Sequence, residues 1–567
     1  MFHSVRRHTR ALALLFACGL FAQVAHTNTG LDTADDKATA PPVRVFLVAG
    51  QSNAEGADTH AAEIDNYPPF VGAGAPQSKA KIWYELGGPG GSTSGGWIPM
   101  QPATQSNIFG PELTFARKVT LETGARVAIV KSASGGTNLA VDWDPGNPAG
   151  QQMYQRTLTL LQNALADLTS QGIPWRLEGV LWQQGENDML DSVFVAQYGA
   201  RLTALMARLR TDLNRPRLKW YIGGTSFKCI WGLDYAGNMR TLLAQQLAAI
   251  GADPLATFVP SSHLAFQVNS QGAPHYHFGT EGMLQLGEAY ADKYLGSLGF
   301  DVAHHPAQFK AGLPAKPGDT VRVFVMVGQR SMEGEGAYVS EIQTHPQFAK
   351  LGALQEDVMY RYRLGGGVHV SPDWAPLGPA DYLHSFGPEL SFGDTASQLL
   401  DDPVAVIKIA DSAAFLVDWL PQHPDSSRPQ YNDAVRFIQT GLAQLKSAGL
   451  NPVLEAVIWL PAEHDAWWTP YRQNYASRLT TVATNLRADL GTPKLKWFAA
   501  ELPDYLSWGK TNLDDLDAKI QSVATQDPLM WFVQTDSLSP TGPSPTIGAL
   551  GALELGRLLA KTYMRTL

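Results

Sequence analysis

The chain has 567 residues, 44% of them hydrophobic and 17% charged, with a formal net charge of −9. That length exceeds one ordinary core and predicts two or three domains of the soluble globular class. The acidic balance, with no Lys/Arg run longer than a dipeptide, argues against nucleic acid or an anionic membrane as partner and leaves small substrates open.

Residues 1–25 read as a signal peptide. Arg6, Arg7 and Arg10 form a basic start, and residues 11–22 form an apolar run too short to span a bilayer. The expected location is therefore outside the cytoplasm: periplasmic, extracellular or at the cell surface. Leu15-Phe16-Ala17-Cys18 resembles a lipoprotein box, so membrane attachment is expected only if Cys18 is lipidated. The other cysteine, Cys229, reads as a small buried hydrophobe rather than a nucleophile. Residues 26–42, polar and ending in prolines, read as a flexible lead-in.

Strand-like and helix-like patterns then alternate. Strand runs fall at 43–49, 81–86, 126–131, 177–182 and 218–222; helical periodicity covers 112–122, 152–170, 193–213, 236–250 and 280–297. Alternating β and α predicts a parallel sheet covered by helices on both faces, over a first domain at 43–299. The proline-bearing stretch 300–320 reads as a linker.

From residue 321 the pattern repeats to residue 567. Val321-Arg322-Val323-Phe324 echoes Val43-Arg44-Val45-Phe46, and Phe109-Gly110-Pro111-Glu112-Leu113 returns as Phe386-Gly387-Pro388-Glu389-Leu390. Asp142-Trp143 returns as Asp418-Trp419, Trp182 as Trp459, and Leu286-Gly287 as Leu555-Gly556. This order-preserving self-similarity predicts two tandem domains of one fold.

The copies differ at chosen places. Gly50-Gln51-Ser52-Asn53 becomes Gly328-Gln329-Arg330-Ser331, and Gly135-Gly136-Thr137-Asn138 becomes Ser412-Ala413-Ala414-Phe415. Gln184-Gly185-Glu186-Asn187-Asp188 becomes Pro461-Ala462-Glu463-His464-Asp465, and His275-Tyr276-His277 becomes Ser544-Pro545-Thr546. One site, kept in the first copy and dismantled in the second, accounts for all four. Ser52, just past the first strand, is a nucleophile that needs a base, and His277 supplies one. Gly135 or Gly136 can bring a backbone N–H to an oxyanion, and Gln184 offers an amide N–H. Glu186 and Asp188 are possible acids, but their survival as Glu463 and Asp465 points to framework roles. A His275-x-His277 pair lacks the further Cys/His cluster that metal binding would need. No metal or organic cofactor is expected.

These motifs, Gly-Gln-Ser-Asn, Ser-Gly-Gly-Thr, Gln-Gly-Glu-x-Asp and His-Phe-x-x-Glu-Gly, resemble the SGNH hydrolase superfamily. Within it they are similar to the sialate O-acetylesterase and carbohydrate esterase family six group. The resemblance covers 43–299 with motifs and 321–567 as framework only. It implies two tandem three-layer α/β/α (flavodoxin-like) domains, each on a central parallel sheet of about five strands. It implies Ser52 as nucleophile, His277 as base, and the Ser52 N–H, a loop glycine and Gln184 as oxyanion donors. Many members carry an aspartate three residues before the histidine, where this chain has Pro274. The expectation is therefore a Ser52–His277 dyad whose imidazole is held by a backbone carbonyl.

The predicted activity is serine-dependent hydrolysis of acetyl esters on a carbohydrate (sialic acid, xylan or another glycan). The alternatives are a non-catalytic glycan-binding protein, or a longer-chain esterase or lipase of the same superfamily. The second domain is expected to fold and to be inert, serving as a partner surface or a glycan-holding module.

Overall fold

The computed structural model describes residues 41–103, 107–225, 235–266, 276–302, 308–380, 382–424, 426, 428–460, 463–540 and 544–567. The expected leader, Cys18, most of the lead-in, Cys229, Pro274 and His275 lie outside these residues.

The first domain starts with β1 (Val43–Gly50), whose residues are almost all buried. A strand with no polar alternation must be covered on both sides. Val43, Val45, Leu47 and Ala49 face one apolar cluster, shared with α3 (Met153–Ser170), α4 (Ser192–Asp212) and α5 (Ala236–Gly251). Phe46 and Val48 face the other, shared with α2 (Glu112–Thr123) and α6 (Gly279–Gly296). The result is a three-layer α/β/α domain.

Six strands run parallel in the order β2 (Gln77–Leu86), β5 (Val127–Ala133), β1, β6 (Trp175–Gln183), β7 (Lys219–Gly223), β8 (Ala256–Val259). Two short strands, β3 (Ser92–Thr93) and β4 (Ile98–Met100), pair antiparallel with β2 at the edge. The sheet is larger than the five strands expected. β8 has only four residues, three of them half-buried, so it leaves little trace in the sequence. Ser52–Glu55 form a single helical turn, α1, directly after β1.

The second domain repeats this plan. Its parallel strands are β9 (Thr320–Gly328), β10 (Gln355–Leu364), β13 (Val404–Ala410), β14 (Asn451–Trp459), β15 (Lys496–Ala500) and β16 (Met530–Val533), in the order β10-β13-β9-β14-β15-β16. Short β11 (His369–Val370) and β12 (Ala375–Leu377) pair antiparallel with β10. Its helices are α7 (Arg330–Glu333), α8 (Glu389–Leu399), α9 (Tyr431–Ser447), α10 (Glu463–Trp467), α11 (Thr469–Gln473), α12 (Tyr475–Asp489), α13 (Lys510–Gln526) and α14 (Gly548–Met564). The repeated Leu-Gly pair has a packing reason. A Cβ at Gly287 on α6 would lie 2.0 Å from Thr114 Oγ1 on α2, and one at Gly556 on α14 would lie 2.1 Å from the Pro388 carbonyl ahead of α8. Glycine permits both close helix contacts.

A buried carboxyl gives the second domain a pH signature. Asp465 accepts the Leu416 N–H at 2.9 Å, and burial pushes its carboxyl up to about 8. An unfolded aspartate titrates near about 3.9. The folded-state value is the raised one, so the stability this group contributes is present at low pH and is lost as pH rises through about 8. Asp465→Asn keeps an oxygen for the Leu416 N–H and removes the charge. Thermal melts should show it close to the wild type below the unfolded value of about 3.9 and increasingly more stable than the wild type as pH rises to about 8; equal offsets at both ends would contradict this origin.

Candidate functional site

β1 lies between β5 and β6, and the loops leaving the carboxyl ends of these three strands carry Ser52, Gly135–Gly136 and Gln184–Asp188. Chain order reverses across β1, and ligands of open α/β sheets bind at such a switch point. Gly50 makes the turn possible: its φ is +147°, and a Cβ there would lie 2.0 Å from the Gln183 carbonyl oxygen. Beneath α1 sits a buried ion pair, Lys131 Nζ to Glu112 Oε1 at 2.8 Å, and Nζ also donates to the Glu55 carbonyl at 2.9 Å. The second copy repeats this with Lys408, Glu389 and the Glu333 carbonyl. The pair therefore belongs to the framework that holds the turn.

Ser52 is 7% exposed at the head of α1. Gly135 lies against it, since a Cβ on that glycine would sit 3.5 Å from Ser52 Cβ. The chain around His277 is fixed to the same turn by Asn53. Its Oδ1 accepts the Phe278 N–H at 3.2 Å, and its Nδ2 donates to the Tyr276 carbonyl at 3.3 Å. The residue next to Ser52 thus grips the backbone on both sides of His277, which is 6% exposed.

The imidazole is held differently from expectation. His277 Nδ1 lies 2.8 Å from Asp58 Oδ2, so a carboxylate occupies the place expected for a backbone carbonyl. This corrects the expectation of a backbone carbonyl: the described partner of His277 Nδ1 is the Asp58 carboxylate. Asp58 sits just beyond α1 at φ +61°, a left-handed conformation that aspartate tolerates better than most residues. The signal was present in the duplication. Asp58 aligns with Gly336, also left-handed at φ +76°, and a Cβ on Gly336 would lie 2.5 Å from Thr546 Oγ1, at the position of His277. Both members of the Asp58–His277 pair are therefore replaced in the second copy.

The two carboxylates named as possible acids have other partners. Glu186 Oε1 accepts from Asn53 Nδ2 at 2.8 Å, and burial raises its pKa. Asp188 Oδ2 accepts the Leu139 N–H at 2.8 Å and the Gln184 amide at 2.6 Å, and burial pushes its carboxyl up to about 6. Their counterparts Glu463 and Asp465 accept the Ser331 and Leu416 N–H groups. Both carboxylates brace loops in both copies.

Gln184 is fully buried, and its Nε2 faces Gln51 Oε1, the Thr137 carbonyl and Asp188 Oδ2 at 3.1, 3.2 and 2.6 Å. Its two amide hydrogens have acceptors within the fold, so it is a poor oxyanion donor. Asn187 is better placed. It is half-buried, and its Nδ2 gives one hydrogen to the Gly136 carbonyl at 2.7 Å, leaving a second for a ligand. The second copy has His464 there. Of the two glycines, Gly135 donates its N–H to Glu55 Oε2 at 2.8 Å. Gly136 is at φ +72°, with open space where a Cβ would stand. Burial raises the pKa of Glu55, and the Gly135 N–H partly offsets this. Among the described residues, no group of three or more His, Cys, Asp or Glu is placed to hold a metal ion, and no helix is long and apolar enough to cross a membrane.

The family described as carbohydrate esterase, sialic acid-specific acetylesterase, matches residues 42–296 and again 320–565. A probable carbohydrate esterase of Arabidopsis thaliana is 36% identical over 112 residues, 19% of this chain and 39% of the relative, so the match spans well under half of that protein. Among solved structures, an Arabidopsis thaliana protein is 24% identical, covering 45% of this chain and 99% of its own, at a TM-score of 0.34. A carbohydrate acetylesterase from Xanthomonas citri is 17% identical over 47% of this chain and 59% of its own, at 0.35. NanS is 17% identical over 46% of this chain and 98% of its own, at 0.34.

Proposed function

The chain belongs to the sialic acid-specific acetylesterase family of carbohydrate esterases, and from that premise we propose that it is an exported serine esterase that removes acetyl groups from sugar hydroxyls. The observation that carries this reading is the Asp58–His277 pair, held at the Ser52 turn by the two backbone bonds of Asn53.

Ser52 Oγ attacks the acetyl carbonyl while His277 takes its proton. Asp58 fixes the imidazole tautomer and offsets its positive charge. The tetrahedral oxyanion sits among the N–H groups of Ser52 and Gly136 and the Asn187 amide. Collapse of the intermediate expels the sugar alkoxide, which His277 protonates. Water, deprotonated by the same imidazole, then attacks the acetyl-enzyme and releases acetate. Export rests on the basic and apolar residues at 6–22.

Acetate release from a panel of O-acetylated sialic acids, xylan and other glycans tests this reading. Acetate should appear from at least one member of the panel; none from any of them would refute it. Asn187→Ala should lower turnover about 10²–10³-fold, the usual cost of one oxyanion donor. Unchanged turnover would remove Asn187 from the site.

A further inference from the structure

The dismantled site of the second domain is occupied by a side chain of the first. Phe266 is 5% exposed and belongs to the apolar cluster of the second domain, not to either cluster of its own. The guanidinium of Arg330 lies 4.3 Å from its ring centroid. The rings of His464 and Trp508 lie 5.3 and 6.5 Å from it, and Phe415 packs behind His464 at 5.5 Å. Three of these residues stand where the first copy has site residues: Arg330 for Ser52, His464 for Asn187 and Phe415 for Asn138. Arg330 is buried with its charge matched by Glu335, and Phe266 forms one wall of the cavity that remains beside it. The substitutions that removed catalysis built an aromatic and cationic socket for a phenylalanine.

Phe266 is not the only such contact, and the contacts fall on the chain to either side of His277. Before it, Arg428 donates to Ser262 Oγ, and His263 stacks on Tyr382 at 5.6 Å. After it, Tyr338 Oη donates to Glu281 Oε1 and His384 Nε2 lies 3.1 Å from Glu288 Oε2, both glutamates being on α6.

We propose that the second domain positions the base of the first: by seating Phe266 in its converted site and holding α6 through Tyr338 and His384, it anchors the described chain on either side of His277. This rests on the reading of His277 as the base. Displacing a reacting group by about 1 Å can cost on the order of 10²-fold, so the positioning residues Phe266 and Tyr338 should be visible in turnover although neither touches substrate.

The test uses the full chain. Phe266→Ala, assayed well below its melting temperature, should lower kcat about 10- to 100-fold with little change in KM, because the fault lies in the reacting geometry. Phe266→Leu, which refills the socket, should recover most of the loss. If Phe266→Ala fails to fold, Tyr338→Phe decides; it deletes one hydroxyl and should still lower kcat several-fold and alter the acid limb of the pH profile. Wild-type kcat and pH profile in folded Phe266→Ala, or in Tyr338→Phe where the former cannot be made, would overturn the proposal. Ser52→Ala is run in parallel. If it is inactive while the positioning variants match the wild type, only the positioning role falls. If it stays active, the serine mechanism falls and takes the positioning role with it.

Discussion

Ser52→Ala will remove nearly all acetyl-ester hydrolysis, a loss of about 10⁴–10⁶-fold, and leave the fold intact. Alanine favours the helical turn as much as serine does. The bonds that shape this turn, from the Ala54 and Glu55 N–H groups to the Gln51 carbonyl, involve only backbone. Among the described residues the Ser52 hydroxyl holds none of the loops in place, so its removal deletes chemistry and little else. The second domain is expected to offer no substitute, since it has Arg330, Thr546 and Gly336 where the first has Ser52, His277 and Asp58. The measurement is acetate released by the full chain against time, with circular dichroism confirming the fold. A variant retaining a tenth of wild-type turnover would sink the assignment of Ser52, and residual hydrolysis lost on Thr546 substitution would show that the second domain is not inert.

How much of this was legible in the sequence depends on distance along the chain. The β1–Ser52 turn could be read because a buried strand, a glycine and a serine are contiguous, and the duplication exposed the rest of the site by contrast. The framework roles of Glu186 and Asp188 followed from their survival in the second copy, and their bonds to Asn53 and to Gln184 and Leu139 agree with that role. Gln184 misled because an amide in a substituted loop reads as a donor, whereas depth decides its use: it lies under the loop and Asn187 lies at its rim. Phe266 could not be read at all. Its partners Arg330, His464 and Trp508 belong to the other domain, and no local period announces a contact made across a duplication.

Asp58→Asn will lower kcat about 10³–10⁴-fold, while Glu186→Gln and Asp188→Asn, where folded, will cost far less. The aspartate of a serine–histidine set orients the imidazole and stabilises its charged form; an amide in its place can donate to the ring and select the wrong tautomer. The Asp58 side chain is 37% exposed, so solvent screens part of its electrostatic contribution. Tautomer selection is not screened in this way, which keeps the expected loss large. Asparagine suits the test because it tolerates the left-handed backbone at φ +61° as well as aspartate does, whereas alanine would add strain. Measured at one pH with folding checked for each variant, Asp58→Asn should approach His277→Ala in its loss. If Asp58→Asn keeps most of the wild-type rate, the carboxylate at 2.8 Å is a bystander and the enzyme works as a dyad. If instead Glu186→Gln alone is as inactive as His277→Ala, the acid was misassigned and the bond from Asn53 to Glu186 is the one that matters to catalysis.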